Sequence, residues 1–122
     1  MAKILIIEDN AANMTLAVFL LEHAGHTVIT ATDAEDGLAR ARDEAPQLIL
    51  LDIQLPGMDG LEAIGLLKGA SATRSIPVIA LTALAMKGDE ERIRAAGCDG
   101  YIAKPIRYQE FLAQIAAHLE AM

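Results

Sequence analysis

A chain of 122 residues has the length of one ordinary domain, so its elements are expected to share one hydrophobic core. Ten basic against seventeen acidic side chains leave a net charge of −7, which excludes the broad positive field that binding nucleic acid through its phosphates requires. A hydrophobic content of 53% excludes a disordered chain, and with 3% aromatics and no Trp the core must be aliphatic.

Short apolar runs alternate with segments of helical period along the whole sequence. Strands are predicted at residues 3–7, 27–30, 47–51, 76–81 and 99–102, and helices at 10–24, 34–44, 60–69, 85–96 and 108–122. The first apolar run is cut off by Glu8 and Asp9, too early for a secretory signal or a membrane span. Runs such as Leu48-Ile49-Leu50-Leu51 and Val78-Ile79-Ala80-Leu81 are apolar at successive positions, as strands covered on both faces are. The alternation therefore predicts an α/β fold with a doubly wound, five-stranded parallel sheet and five helices. Gly25 and Gly97 follow helical segments as left-handed caps, and Asp59 with Glu62 three residues on reads as a capping-box start. The lone Cys98 cannot close an internal disulfide, no Pro/Gly/Ser-rich linker leads to an output domain, and a cytoplasmic location with no membrane contact is expected.

In doubly wound sheets ligands bind beyond the carboxyl ends of the strands, and those ends carry unusual residues here. The first strand runs into Glu8-Asp9 and the third ends in Asp52. Taken singly, Asp9 or Asn10 reads as a helix cap and Asp52 as a turn residue. As a group, carboxylates gathered from two strands repel unless a proton or a cation lies among them, and an all-oxygen set suits Mg²⁺. His23, His26 and His118 fall elsewhere and read as surface residues, so zinc is not indicated. The fourth and fifth strands deliver Thr82 and Lys104, a hydroxyl and an ammonium suited to an anion, each unremarkable alone. Together they frame Asp52 as a carboxylate that accepts a phosphoryl group. Ala83, beside Thr82, leaves room for that group to enter.

The ordered set Glu8-Asp9-Asn10, Leu51-Asp52-Ile53-Gln54-Leu55-Pro56-Gly57-Met58-Asp59-Gly60, Leu81-Thr82-Ala83 and Lys104-Pro105 resembles two-component response-regulator receiver domains of the single-domain type, over nearly the whole chain. The resemblance implies a flavodoxin-like strand order of 2-1-3-4-5 and one receiver domain spanning 1–122. It implies Asp52 as phosphoacceptor, Asp9 as direct Mg²⁺ ligand, Glu8 as an acid reaching the metal through water, and the Gln54 carbonyl completing the metal shell. Thr82 and Lys104 would contact the phosphoryl oxygens, with Pro105 joined to Lys104 by a cis bond. Glu8 departs from the more usual Asp. Gln54 and Leu84 occupy positions that tune phosphoryl lifetime, Leu84 toward slower hydrolysis. Tyr101 matches the switch aromatic that follows Thr82.

The implied partners are a histidine kinase or phosphotransfer protein as donor and a downstream protein bound on the face of the fourth helix, fifth strand and fifth helix. Met86, Ile93, Tyr101, Ile102, Tyr108 and Phe111 are apolar candidates on that face. The helical spacing of Ile93, Phe111, Leu112 and Ile115 points to packing on the sheet, which leaves Tyr101 as the expected contact. The expected role is a self-modifying signalling domain rather than an enzyme acting on a free substrate. Other readings are a receiver module of a hybrid kinase or phosphorelay acting as a shuttle, an Asp-nucleophile phosphatase, a flavin carrier, or an interaction module that is never phosphorylated. The phosphatase usually needs a second acid where Gln54 stands, and a flavin phosphate would be repelled by Glu8 and Asp9.

Overall fold

The structure, a computed structural model, describes residues 2–55, 57–82 and 87–120, apart from the side chains of 87–89. Its elements in chain order are β1 (Lys3–Ile7), α1 (Ala11–His23), β2 (Thr27–Ala31), α2 (Ala34–Glu44), β3 (Leu48–Asp52), α3 (Gly60–Gly69), β4 (Val78–Thr82), α4 (Lys87–Ala95), β5 (Gly100–Ala103) and α5 (Tyr108–Glu120). The strands form one sheet in the order β2-β1-β3-β4-β5, and all four pairings are parallel. Both the doubly wound class and the strand order match the expectation.

Successive strand residues face opposite layers. Leu5, Ile7, Ile49, Leu51, Val78 and Ala80 pack beneath α2, α3 and α4. Ile4, Ile6, Leu48, Leu50, Ile79 and Leu81 pack beneath α1 and α5, where they meet Leu21, Phe111 and Ile115. Burying one such side chain is worth about 1.5–3 kcal/mol, so these two layers outweigh a few buried charges at one sheet edge. Ile93, Phe111 and Ile115 are core residues, as their spacing predicts.

The boundaries shift where local chemistry intervenes. β4 starts at Val78 rather than residue 76 because Pro77 has no N–H for the ladder and the Ile76 N–H is spent on the Thr73 carbonyl. β3 runs through Asp52, one residue further than expected, so the acid is the last member of the strand itself. Gly25 and Gly97 have φ of 95° and 111°, as caps. α2 ends instead on a left-handed Ala45, φ 48°, for which the sequence offers no glycine signal. Of the predicted fourth helix, residues 85 and 86 lie outside the described residues. Two histidines read as surface residues are half-buried: His26 Nδ1 accepts from the Ala2 N–H at 3.2 Å, and His118 is wedged between α5 and β5. A single polar side chain between apolar segments gives no pattern from which such partners can be read.

Candidate functional site

Strand register assembles the site. Ile7 pairs with Leu51 and Asp52 with Leu81, so Glu8 leaves β1 beside the end of β3. Thr82 pairs with Ala103, and Lys104 follows at once. A slip of one residue would turn each of these side chains to the other face. Backbone bonds continue past the strand ends: Glu8 N–H donates to Ala31, Ile53 N–H to Leu81 and Lys104 N–H to Thr82. Asn10 caps α1 by accepting from the Asn13 N–H at 2.9 Å, and Asp59 caps α3 by accepting from Leu61. The loop after β3 folds back so closely that a Cβ on Gly60 would meet the Ile53 Cα at 2.5 Å. Glycine is required there for this approach, which holds residues 53–55 over the strand end.

Glu8, Asp52 and Thr82 are buried at the carboxyl edge, with Glu8 1% and Asp52 2% exposed, whereas Asp9 is open to solvent. Lys104 Nζ lies 2.8 Å from Glu8 Oε1 and 3.2 Å from Asp52 Oδ2. The Lys104-Pro105 bond is cis. Asp52 Oδ1 accepts from the Gln54 N–H at 3.0 Å, and Glu8 Oε2 accepts from the Asn10 N–H at 3.3 Å. From the sequence alone Lys104 is expected to serve a phosphoryl group. Here it is also the counterion of two acids, a role that its position after a strand does not reveal.

Burial, and then the contact with Asp52, raise Glu8 from 4.5 to about 7. Burial also pushes Asp52 up, but the Glu8 contact, the Gln54 N–H and the Lys104 charge outweigh it and hold Asp52 below the usual carboxylate range. Burial alone would lower Lys104, and the two carboxylates raise it instead. Glu8 and Asp52 thus titrate as one pair, in which Glu8 takes up a proton more readily than Asp52. That leaves the negative charge of the pair mainly on Asp52.

One ligand oxygen each from Glu8, Asp9 and Asp52 falls within 4.8 Å of the others. Glu8 Oε1 is buried and has no aligned hydrogen-bond donor; its approach to Lys104 is ionic contact alone. A carboxylate oxygen with no aligned donor among acidic neighbours fits a hard divalent cation, and the described cluster contains no soft ligand.

Of the remaining sequence-derived positions, Ala83 and Leu84, like Met86, lie outside the described residues. Tyr101 is half-buried and packs against the α2–α4 layer, two residues before the partner of Thr82. Ile102 is buried, and Tyr108 is exposed. α1 presents a feature that no short motif marks. Residues 11–21 carry no charge, and Ala11, Ala12, Thr15, Leu16 and Phe19 line a shallow groove with Phe19 61% exposed. The signal was available as an apolar helix whose outward positions lack the charged residues of α2. No described helix is long and apolar enough to cross a membrane.

Comparison with known proteins agrees with this geometry. The chain is 48% identical over 117 residues to the polar-differentiation response regulator DivK of Brucella anthropi, covering 96% of this chain and 95% of that protein. The receiver domain of sensor histidine kinase PA1611 from Pseudomonas aeruginosa PAO1, solved with a magnesium ion coordinated in its active-site cleft, superposes with a TM-score of 0.91 at 32% identity, covering 98% of each chain. A CheY-like response regulator receiver domain protein from Methanospirillum hungatei JF-1 gives a TM-score of 0.91 at 30% identity, covering 99% of this chain and 95% of that one. Residues 4–116 match the response regulator receiver domain. With fold, relatives and acidic edge in agreement, the chain belongs to the response regulator receiver domain family, whose members act as phosphorylation-dependent switches in two-component signalling.

Proposed function

We propose that this chain, as one receiver domain over residues 1–122, accepts a phosphoryl group on Asp52 from the phosphohistidine of a cytoplasmic histidine kinase or phosphotransfer protein. The observation that carries the reading is the convergence of Asp52, Glu8 and Lys104 at one buried sheet edge, with Lys104 Nζ within 3.2 Å of both acids. An Asp52 carboxylate oxygen attacks phosphorus, the new O–P bond forms as the donor's P–N bond breaks, and the electron pair leaves with the imidazole nitrogen. The Gln54 N–H holds the other carboxylate oxygen and fixes the angle of attack. Lys104 turns from its counterion role to the incoming phosphoryl oxygens, with the Thr82 hydroxyl beside them. Glu8, Asp9, Asp52 and the Gln54 carbonyl would hold Mg²⁺, which supplies charge neutralisation for the transferring group. Ala83 leaves access, Leu84 and Gln54 set the lifetime of the acyl phosphate, and Pro105 aims Lys104 inward.

Donor and target would use different faces. The uncharged groove of α1 begins next to Asp9 and Asn10, so a donor protein that reaches Asp52 from that flank can bury Leu16 and Phe19. The response would leave through Tyr101, with Thr82 drawn toward the phosphoryl group and the α4, β5 and α5 face presented to a downstream protein. Incubation with a small phosphodonor and Mg²⁺ should add the mass of one phosphoryl group to the wild type and none to Asp52→Asn. A wild type that gains no mass, or an Asp52→Asn variant that still does, would refute the reading.

A further inference from the structure

A second groove lies on the opposite face of the sheet from α1, between α2 and α3, whose carboxyl ends return to the amino edge and lead away from Asp52. Leu38 and Arg42, one turn apart on α2, form one wall; Leu66 and Ala70, one turn apart on α3, form the other; Leu67 and Thr73 close the floor. That floor is held from below. Leu67 and Thr73 are buried, the Thr73 hydroxyl donates to the Leu67 carbonyl at 2.6 Å, and Lys68 ties down the following loop by donating to the Ile76 carbonyl at 2.8 Å. The α3 wall is open, with Leu66 49% exposed.

At about 210 Å³ the groove is smaller than the cavities of about 300–1,000 Å³ that hold cofactors and drug-sized ligands, so it suits one or two side chains of another protein. Charge decides which ones. Arg40 on the same helix is matched by Asp36 at 3.2 Å, and Glu44 faces Lys3 at 3.9 Å, whereas the Arg42 side chain has no ion pair or hydrogen bond among the described residues. Its guanidinium stands at the rim of an apolar groove with its donors available, an arrangement that recognises a carboxylate. A second copy of this chain is a poor occupant. A net charge of −7 sets copies against each other, and the exposed Leu16 and Phe19 lie on another face, so their contact with this groove would run head to tail without closing. We propose that the α2–α3 groove docks a partner protein through a helix that presents an aliphatic side chain to Leu38 and Leu66 and, one turn away, a carboxylate to Arg42. A partner held there leaves the donor and target faces open.

The probe is a capped, alanine-based helical peptide with a leucine and a glutamate one turn apart, its control carries glutamine for glutamate, and the readout is the amide and methyl shifts of ¹⁵N,¹³C-labelled protein. The acidic peptide should shift Leu38, Leu66 and Ala70 saturably and bind about threefold more tightly than the control, the size of an exposed ion pair. Arg42→Gln should remove that difference without weakening the control, and Leu66→Gln, at an exposed position, should weaken both peptides about fivefold. Asp52→Asn should bind as the wild type does, which separates failure here from failure of phosphorylation. No saturable shift at the groove, equal affinity for the two peptides, or shifts centred on Leu16 and Phe19 would overturn the proposal.

Discussion

Lys104 stands closer to Glu8, at 2.8 Å, than to Asp52, at 3.2 Å. The ammonium therefore bridges both acids, and the three groups form a buried cluster in which each depends on the others. Lys104→Met leaves two buried carboxylates without a cation, at a cost of about 2–3 kcal/mol in Mg²⁺-free buffer, discounted from a fully buried pair because a proton can take part of the charge. Mg²⁺ should recover much of that loss, because it places positive charge among the same oxygens. Urea unfolding with and without Mg²⁺ reads both effects, and a loss that Mg²⁺ leaves untouched would argue against a shared cation position.

The proton on Glu8 has two consequences. Because burial lifts Glu8 to about 7 from 4.5, the folded protein binds more protons than the unfolded chain between those values. Its contribution to stability is full below 4.5 and is lost as pH rises through about 7. Metal and proton compete for the same carboxylate, so Mg²⁺ binding should weaken as pH falls below about 7 and should release protons near neutrality. Calorimetric titration with Mg²⁺ in buffers of different ionisation enthalpy measures that release, which Glu8→Gln should abolish.

Two faces should separate on mutation. Phe19→Glu puts a charge into the uncharged α1 groove and should slow phosphotransfer from a protein donor tenfold or more, while phosphorylation by a small phosphodonor stays unchanged. Tyr101→Ala should leave both phosphorylation reactions intact and weaken binding of the downstream protein. Rates with the two kinds of donor, together with a binding assay, distinguish these outcomes; an identical effect of both substitutions on transfer would contradict the division of faces.

His26 gives an acid-side prediction. Burial, and then the nearby N-terminal charge, lower its proton affinity, and its Nδ1 must stay unprotonated to accept from Ala2. The unfolded chain thus binds the proton more readily, and stability falls as pH is lowered through the ordinary 6.5. His26→Ala should lose less stability than wild type between about pH 7 and about pH 5 in denaturant titrations; parallel losses would contradict the role of the Ala2 contact.

The sheet was legible because aliphatic runs such as residues 48–51 and 78–81 repeat at even spacing, and because Asp52 interrupts one of them where an apolar residue would otherwise continue the run. With the runs at residues 3–7 and 100–103, five candidate side chains could be placed at one edge, since parallel strands deliver their ends to the same side. What escaped depends on pairings between distant residues. Nothing in the local pattern announces that Lys104 neutralises Glu8, or that Asp99, Lys68 and His118 form a network across three elements. The α1 groove is a different case: the missing charges mark the helix as unusual, but only the structure separates Leu21, which is buried, from Phe19, which is not.

The central claim is that a single carboxylate, at residue 52, carries the phosphoryl group. Borohydride reduces an acyl phosphate to an alcohol, so phosphorylated protein treated this way and mapped by peptide mass should contain homoserine at position 52 in place of Asp52, in proportion to the phosphorylated fraction. Homoserine at another position, or a phosphoryl group that survives reduction on a hydroxyl or imidazole side chain, would contradict the account.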